Sequence, residues 1–246
     1  MKYIPLLDSL LFAGSRALAL SVAAAATVMS TANAATYTEI GDTGDVPFSA
    51  QETPFDPLDP VLSEIYGSFE TNLDIDMYLI YISDPSTFSA TVTTSGDTQL
   101  FLFNVLGFGI ASNDDQGLVS FGAAALPAGN PLLTALVPDY YYLAVGGFNH
   151  EPVSDPGNPT AEFIFGQSAT AVNGPTGAGG GSPIIGWSVA PGNGAGPYNY
   201  TIALTGAEGA TCPTCNQVPD SGTTLSLLGL SLGGLFLGTR KLKAKV

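Results

Sequence analysis

Apolar side chains recur with a period of two in short runs through the middle of the chain. Ile75, Met77, Leu79 and Tyr81 alternate with Asp76, Tyr78, Ile80 and Ile82, and Phe88, Ala90 and Val92 are separated by Ser and Thr. Successive side chains on a strand point to opposite faces, so both runs predict strands. Gln99 to Val105 reads as a nearly continuous apolar strand. Tyr140-Tyr141-Tyr142 leads into Leu143 and Val145, and Gly146-Gly147 is expected to break that run. Tyr198, Tyr200, Ile202 and Leu204 alternate in a final strand. Turn-forming clusters separate the runs at Ser83-Asp84-Pro85-Ser86, Ser95-Gly96-Asp97, Asn113-Asp114-Asp115-Gln116-Gly117 and Pro127-Ala128-Gly129-Asn130-Pro131. No long amphipathic helix competes, and the pattern predicts an all-β, antiparallel sandwich over residues 63–206.

Two stretches depart from the period of two. Near the front, Ala17 to Met29 is an uninterrupted small and apolar run behind Lys2 and Arg16, and Ala32-Asn33-Ala34 supplies a small-x-small cleavage site. This predicts an export signal helix over residues 1–34 and a mature chain from Ala35, the alternative being an uncleaved anchor. At the back, Thr223 to Thr239 carries no charge, and the cations Arg240, Lys241, Lys243 and Lys245 follow at once. At about 1.5 Å per residue, this segment reaches roughly 25 Å, the lower limit for a transmembrane helix. The basic tail would stay cytoplasmic. Hydropathy alone leaves a plain single-pass anchor or a buried core helix open.

Directly before that segment stands Val218-Pro219-Asp220-Ser221-Gly222. A short Pro-containing motif, an apolar helix and a basic tail in this order resemble the PEP-CTERM sorting signal in its Val-Pro-Asp-Ser-Gly variant. The resemblance covers residues 218–246 and implies an exosortase-type membrane protease that cuts near Val218-Pro219. The protein would pass through an inner-membrane intermediate and then reach the cell surface or the medium. Pro219-Asp220-Ser221 stands where the usual signal has Pro-Glu-Pro.

A second resemblance covers about Ser63 to Thr205. The succession Asp74-x-Asp76-x-Tyr78, Gln99 to Asn104, Ser112 to Asp115, Tyr140 to Gly146 and Tyr198 to Ile202 is similar to bacterial pre-peptidase C-terminal domains. It implies a jelly-roll-like β-sandwich of the kind appended to secreted proteins. An insertion over residues 149–197 departs from that pattern. Within it Gly174 to Ser182 is expected to be a flexible loop, while Glu162 to Phe165 and Ile184 to Val189 are candidate added strands. Residues 35–62 form an N-terminal extension and 207–217 a linker.

Charge narrows the function classes. All six Lys and Arg belong to the two end segments, so 35–239 holds 20 of the 21 acidic residues, no basic side chain except His150, and a formal charge of −20. Nucleic-acid binding depends on neutralising phosphates with Lys and Arg and is excluded. Anionic membrane surfaces are disfavoured in the same way. With 45% hydrophobic residues over the whole chain and few charges, the body is long enough to bury a single core.

Little of this composition suits catalysis. His150, the single histidine, sits in Phe148-Asn149-His150-Glu151-Pro152, which reads as a solvated loop. The absence of Lys from the body removes Ser-Lys and Schiff-base chemistry, and too few His and Cys exist for a zinc site. The Gly-rich stretches at 174–177 and 192–196 lack the Lys or the spacing of a phosphate loop and read as turns. Asn199-Tyr200-Thr201 matches a glycosylation sequon inside a predicted strand. Twenty acids make a glycosidase-like pair probable by chance alone, so such a pair carries no signal.

Oxygen ligands are the better lead. Asp74, Asp76, Asn113, Asp114 and Asp115, with Asp97 nearby, are calcium candidates, the competing role being Asx capping of turns. Cys212 and Cys215, in Cys212-Pro213-Thr214-Cys215, are candidates for a local disulfide in an exported chain, with an intermolecular link or free thiols as alternatives. Trp187, the single tryptophan, is either a sugar-stacking platform or packing for the insertion. The expectation is a non-enzymatic, acidic surface or extracellular-matrix protein in a setting of exopolysaccharide and biofilm. The alternative is a secreted carbohydrate-active hydrolase or accessory carbohydrate-binding module.

Overall fold

In a computed structural model of the chain, the described residues are 34–54, 60–71, 73–116, 124–154, 162–189 and 197–212. The signal segment up to residue 33 and everything from residue 213 lie outside them, including Cys215, the sorting motif, the apolar segment and the basic tail. Among the described residues no helix is long and apolar enough to cross a membrane.

Two sheets form the sandwich. The first runs β1 (Ala35–Thr38), β3 (Leu62–Phe69), β12 (Tyr198–Thr205), β5 (Ser89–Thr94), β8 (Ala125–Leu126). The second runs β13 (Ala207–Gly209), β4 (Ile75–Ile82), β9 (Asp139–Gly147), β6 (Thr98–Asn104), β7 (Gly109–Asn113). β2 (Gln51–Glu52) pairs in parallel with β4 at Tyr78 and Leu79, beyond the stretch that β13 takes. A single helical turn, α1 (Pro131–Thr134), is capped by the Asn130 side chain and leads into β9. The insertion contributes a ribbon of β10 (His150–Val153) and β11 (Gly186–Val189).

The first sheet shows the alternation that its sequence predicts. In β12, Tyr200, Ile202 and Leu204 are buried while Asn199, Ala203 and Thr205 face out. The second sheet behaves differently, because its central strands are buried on both faces. Tyr78, Ile80 and Ile82 of β4, Leu100 and Leu102 of β6, and Leu143 and Val145 of β9 join Ile65, Val92 and Ile202 in the core between the sheets. Ile75, Met77 and Leu79, Phe101 and Phe103, and Tyr142 and Ala144 point the other way into a second core. That outer core is closed by the insertion through Ile164, Phe165 and Ile184, with Trp187 packed against it. Apolar runs without polar alternation are what a strand covered on both sides requires.

Three expectations about this region need correction. Gly146-Gly147 does not break its strand: β9 runs through both, pairing Gly146 with Ile75 and Gln99 and Gly147 with Thr98. A Cβ at Gly146 would press on His150 and Ile75, so the glycine admits the returning chain, which turns at Asn149 with φ 62°. Gly174 to Ser182 is not a free loop. The amides of Gly177 and Gly179 donate to the carbonyls of Ile164 and Phe163, and a Cβ at either glycine would collide with that backbone. Glu162 to Phe165 forms one bridge, Val153 to Phe163, in place of a strand.

Phe165 stacks against Phe101 and Phe103 with ring centroids 5.9 and 5.6 Å away, so it tests whether the insertion is a structural layer. Phe165→Ala is expected to lower unfolding free energy by about 3–5 kcal/mol in urea titrations. Leu106→Ala, at a side chain 71% exposed, should change it by less than about 0.5 kcal/mol. Near-equal effects would show that the insertion is a detachable appendage.

Candidate functional site

The predicted calcium ligands separate into two groups. Asp76 sits in β4 with no exposed surface. Its Oδ2 accepts the Tyr200 hydroxyl at 2.6 Å, and the Tyr200 and Tyr78 hydroxyls meet at 2.6 Å. This row of polar atoms crosses the inside of the sandwich from β4 to β12. The Tyr200 ring fits there because Gly67 lies opposite it in β3, where any Cβ would overlap the ring. Asp76 Oδ1 is buried without an N–H or hydroxyl donor, and the Asp76 carboxyl meets that of Glu39. Burial pushes the Asp76 carboxyl up to about 9; the Tyr200 bond opposes this, and the charges of Glu39 and Asp74 add to it. Burial likewise raises both tyrosines, with the charge of Asp76 contributing.

Two carboxylates that sequence reasoning passed over complete this group. Glu39, Asp42 and Asp76 each place an oxygen within 4.8 Å of the others. Glu39 is held by the amides of Thr43 (3.2 Å) and Ser68 (2.8 Å). The segment carrying it is fixed by Gln51, whose amide group bonds both backbone atoms of Ile40. The available signal was the acid-and-glycine run Glu39-Ile40-Gly41-Asp42-Thr43-Gly44-Asp45, whose Gly41 takes φ 67°. Asp74 plays a different part: its Oδ2 accepts the Glu70 amide at 2.7 Å and closes a turn, and burial raises its carboxyl.

The second group surrounds a polar pit of about 140 Å³ between β6, β7 and the insertion, lined by Gln99, Ser112, Asp114, Asn149, Glu151 and Asn173 among others. Asn113 is there but its side chain serves the backbone, donating to Asp115 and Ala171 carbonyls and accepting the Ala125 amide. Asp115 is tied through its amide to Ala169. Oδ1 of Asp114 and Oδ1 of Asp97 are buried without hydrogen bonds. Burial pushes the Asp114 carboxyl up to about 7, and Asp97, Asp115 and Glu151 add to the shift. Asp97 is raised by burial and then by Asp115.

His150 is not in a solvated loop. It begins β10 with 1% of its surface exposed. Its amide donates to Gln99 Oε1 and its Nδ1 lies 2.7 Å from the Gly147 carbonyl, which makes Nδ1 the protonated nitrogen. Gln99 and Gln167 in turn donate to the Glu151 carboxylate. Trp187 donates from Nε1 to the Asp45 carbonyl at 2.6 Å and meets Phe101 edge-on at 5.1 Å, so it joins the insertion to the N-terminal extension.

At its other end the body closes firmly. Thr53 Oγ1 donates to the Leu79 carbonyl and accepts the Ala210 amide, and the Cys212 amide donates to Glu52. Cys212 is buried and disulfide-bonded. The sorting segment follows within a few residues of this fixed point.

Residues 217–242 match the VPDSG-CTERM motif. The VPDSG-CTERM tail supports a PEP-CTERM-like sorting domain and, with it, export and processing by an exosortase-type membrane protease. No curated protein matches the chain.

Asp114 ties stability to pH. Between about pH 4 and 7 the folded body holds a proton that an unfolded Asp has already released. The stabilisation is complete below that window and is lost as pH rises through 7. In EDTA, Asp114→Asn is therefore expected to gain on the parent protein in melting temperature between pH 5 and pH 8, by about 2–4 °C after solvent screening. Parallel pH profiles for the two proteins would contradict it.

Proposed function

We propose that the chain is an exported, exosortase-processed acidic protein of the cell surface or extracellular matrix, without catalytic activity, in a setting of exopolysaccharide and biofilm. The observation that carries this is the VPDSG-CTERM match at 217–242, placed directly behind a sandwich whose last described residue is fixed by a disulfide and by Glu52. The tail passes through the membrane as a transient intermediate, and its Gly229, Gly233, Gly234 and Gly238 offer a small-residue face to a membrane protease. The non-enzymatic reading draws support from His150, whose imidazole is buried and bonded to backbone.

We read the body as a jelly-roll-like domain of pre-peptidase C-terminal type. Supporting this, Tyr78 and Tyr200, from the first and last of the motifs that carry the resemblance, meet inside the sandwich. A carbohydrate-binding role is the second reading. It is favoured by the pit at Asp114, where Gln99, Asn149, Glu151 and Asn173 present amides and carboxylates to one small opening.

Mass spectrometry of the mature protein from its host tests the sorting proposal. The expected C-terminus lies near Val218-Pro219, with the apolar segment and the basic tail removed. Replacing Pro219 and Asp220 with Ala should leave the full tail through Val246 and hold the protein in the membrane fraction. Surface material from the unaltered chain that still ends at Val246 would overturn it.

A further inference from the structure

We propose that Glu39, Asp42 and Asp76 form a calcium site that pins the N-terminal extension onto the sandwich. The three carboxylates come from two separate parts of the chain, a loop after β1 and the interior of β4. One oxygen of each lies within 4.8 Å of the others. Calcium contacts oxygens at about 2.3–2.6 Å, so two of its ligands can stand up to about 4.6–5.2 Å apart, whereas the roughly 2.0–2.1 Å shell of magnesium allows only about 4.0–4.2 Å.

A second observation points to a ligand. Asp76 has no exposed surface; its Oδ2 is bonded to Tyr200, its Oδ1 has no N–H or hydroxyl donor, and its carboxyl meets that of Glu39. An unsatisfied buried carboxylate oxygen is costly, and here it belongs to the carboxyl group that Glu39 faces. Like charges at this distance repel unless a proton or a cation lies between them. The body has no Lys or Arg to supply one.

Neighbouring groups are arranged as supports. Glu39 is oriented by the Thr43 and Ser68 amides, and Asp76 by Tyr200. Thr43, adjacent in sequence to Asp42, is buried with its hydroxyl against that of Tyr78. An open groove of about 480 Å³ borders Glu39, Gly41, Ser68 and Tyr200 and gives the ion a route from solvent. The proposal draws on the export reading only for its calcium supply, since extracellular sites of about 0.1–1 mM affinity suit that environment.

The test is thermal unfolding of the full chain in detergent at neutral pH, in EDTA and then in 10 mM calcium chloride. A rise in melting temperature of about 3–8 °C is expected. Asp42→Asn and Glu39→Gln, both away from the buried core, should each remove most of that rise, and Asp115→Asn should keep it. No rise in the unaltered chain would show that Glu39 and Asp76 merely share a proton. An undiminished rise in Asp42→Asn and Glu39→Gln would place the ion elsewhere, and an equal rise with 10 mM magnesium chloride would refute calcium selection. Each of these three results overturns the proposal. The readout involves no sorting enzyme, so failure here leaves processing at Val218 standing, and failure of processing leaves the calcium shift standing.

Discussion

Burial of the second sheet on both faces is the constraint on which the rest of the structure depends. A sheet of Ile, Leu, Met and Phe with one side in water would expose a large apolar surface, which favours association with other chains. The insertion prevents this by laying Ile164, Phe165 and Ile184 over Phe101, Phe103 and Met77. The N-terminal extension belongs to the same cover, because Trp187 reaches across to the Asp45 carbonyl. Both segments look dispensable beside the sandwich strands, yet each closes a core that the strands cannot close themselves. Their position also determines where the polar groups collect: the pit at Asp114 lies under the insertion, and the three-carboxylate group lies under the extension.

Much of the strand framework was legible because β5 and β12 are half-buried and alternate. The continuous apolar runs of β4, β6 and β9 also showed as strands, but the chain alone does not say what covers their second face. That information lies in contacts such as Phe101 with Phe165, 64 positions apart, which no local pattern encodes. Gly146-Gly147 misled for a related reason. Glycine marks a break when only local conformation matters, but here it marks close approach of His150 and Ile75. For the sites, composition identified acids without cations, and Asp76 was among the residues it singled out. Its partners Glu39 and Asp42 were missed because they join it only through the parallel pairings that bring residues 35–54 alongside β3 and β4.

The distribution of charge gives the fold an unusual dependence on its medium. In most proteins a buried carboxylate is answered by a Lys or Arg from the same chain. In this body that answer is absent by composition, so Asp76 and Asp114 are balanced by protons, by tyrosine and amide dipoles, or by ions from outside. The same lack of basic residues keeps the surface free of internal ion pairs and leaves the body repelling its own copies unless counter-ions intervene.

The order of strands in the first sheet has a further consequence. β12 occupies the middle place, between β3 and β5, although it is among the last segments in the chain. A polypeptide emerging from a ribosome or translocation pore with its N-terminus leading must therefore hold an open seam between β3 and β5 until residue 205 has arrived. Both of its neighbours wait for one late arrival, and long-range pairing of this kind is slow. Closure of the first sheet therefore comes only when little more than the sorting segment remains to follow.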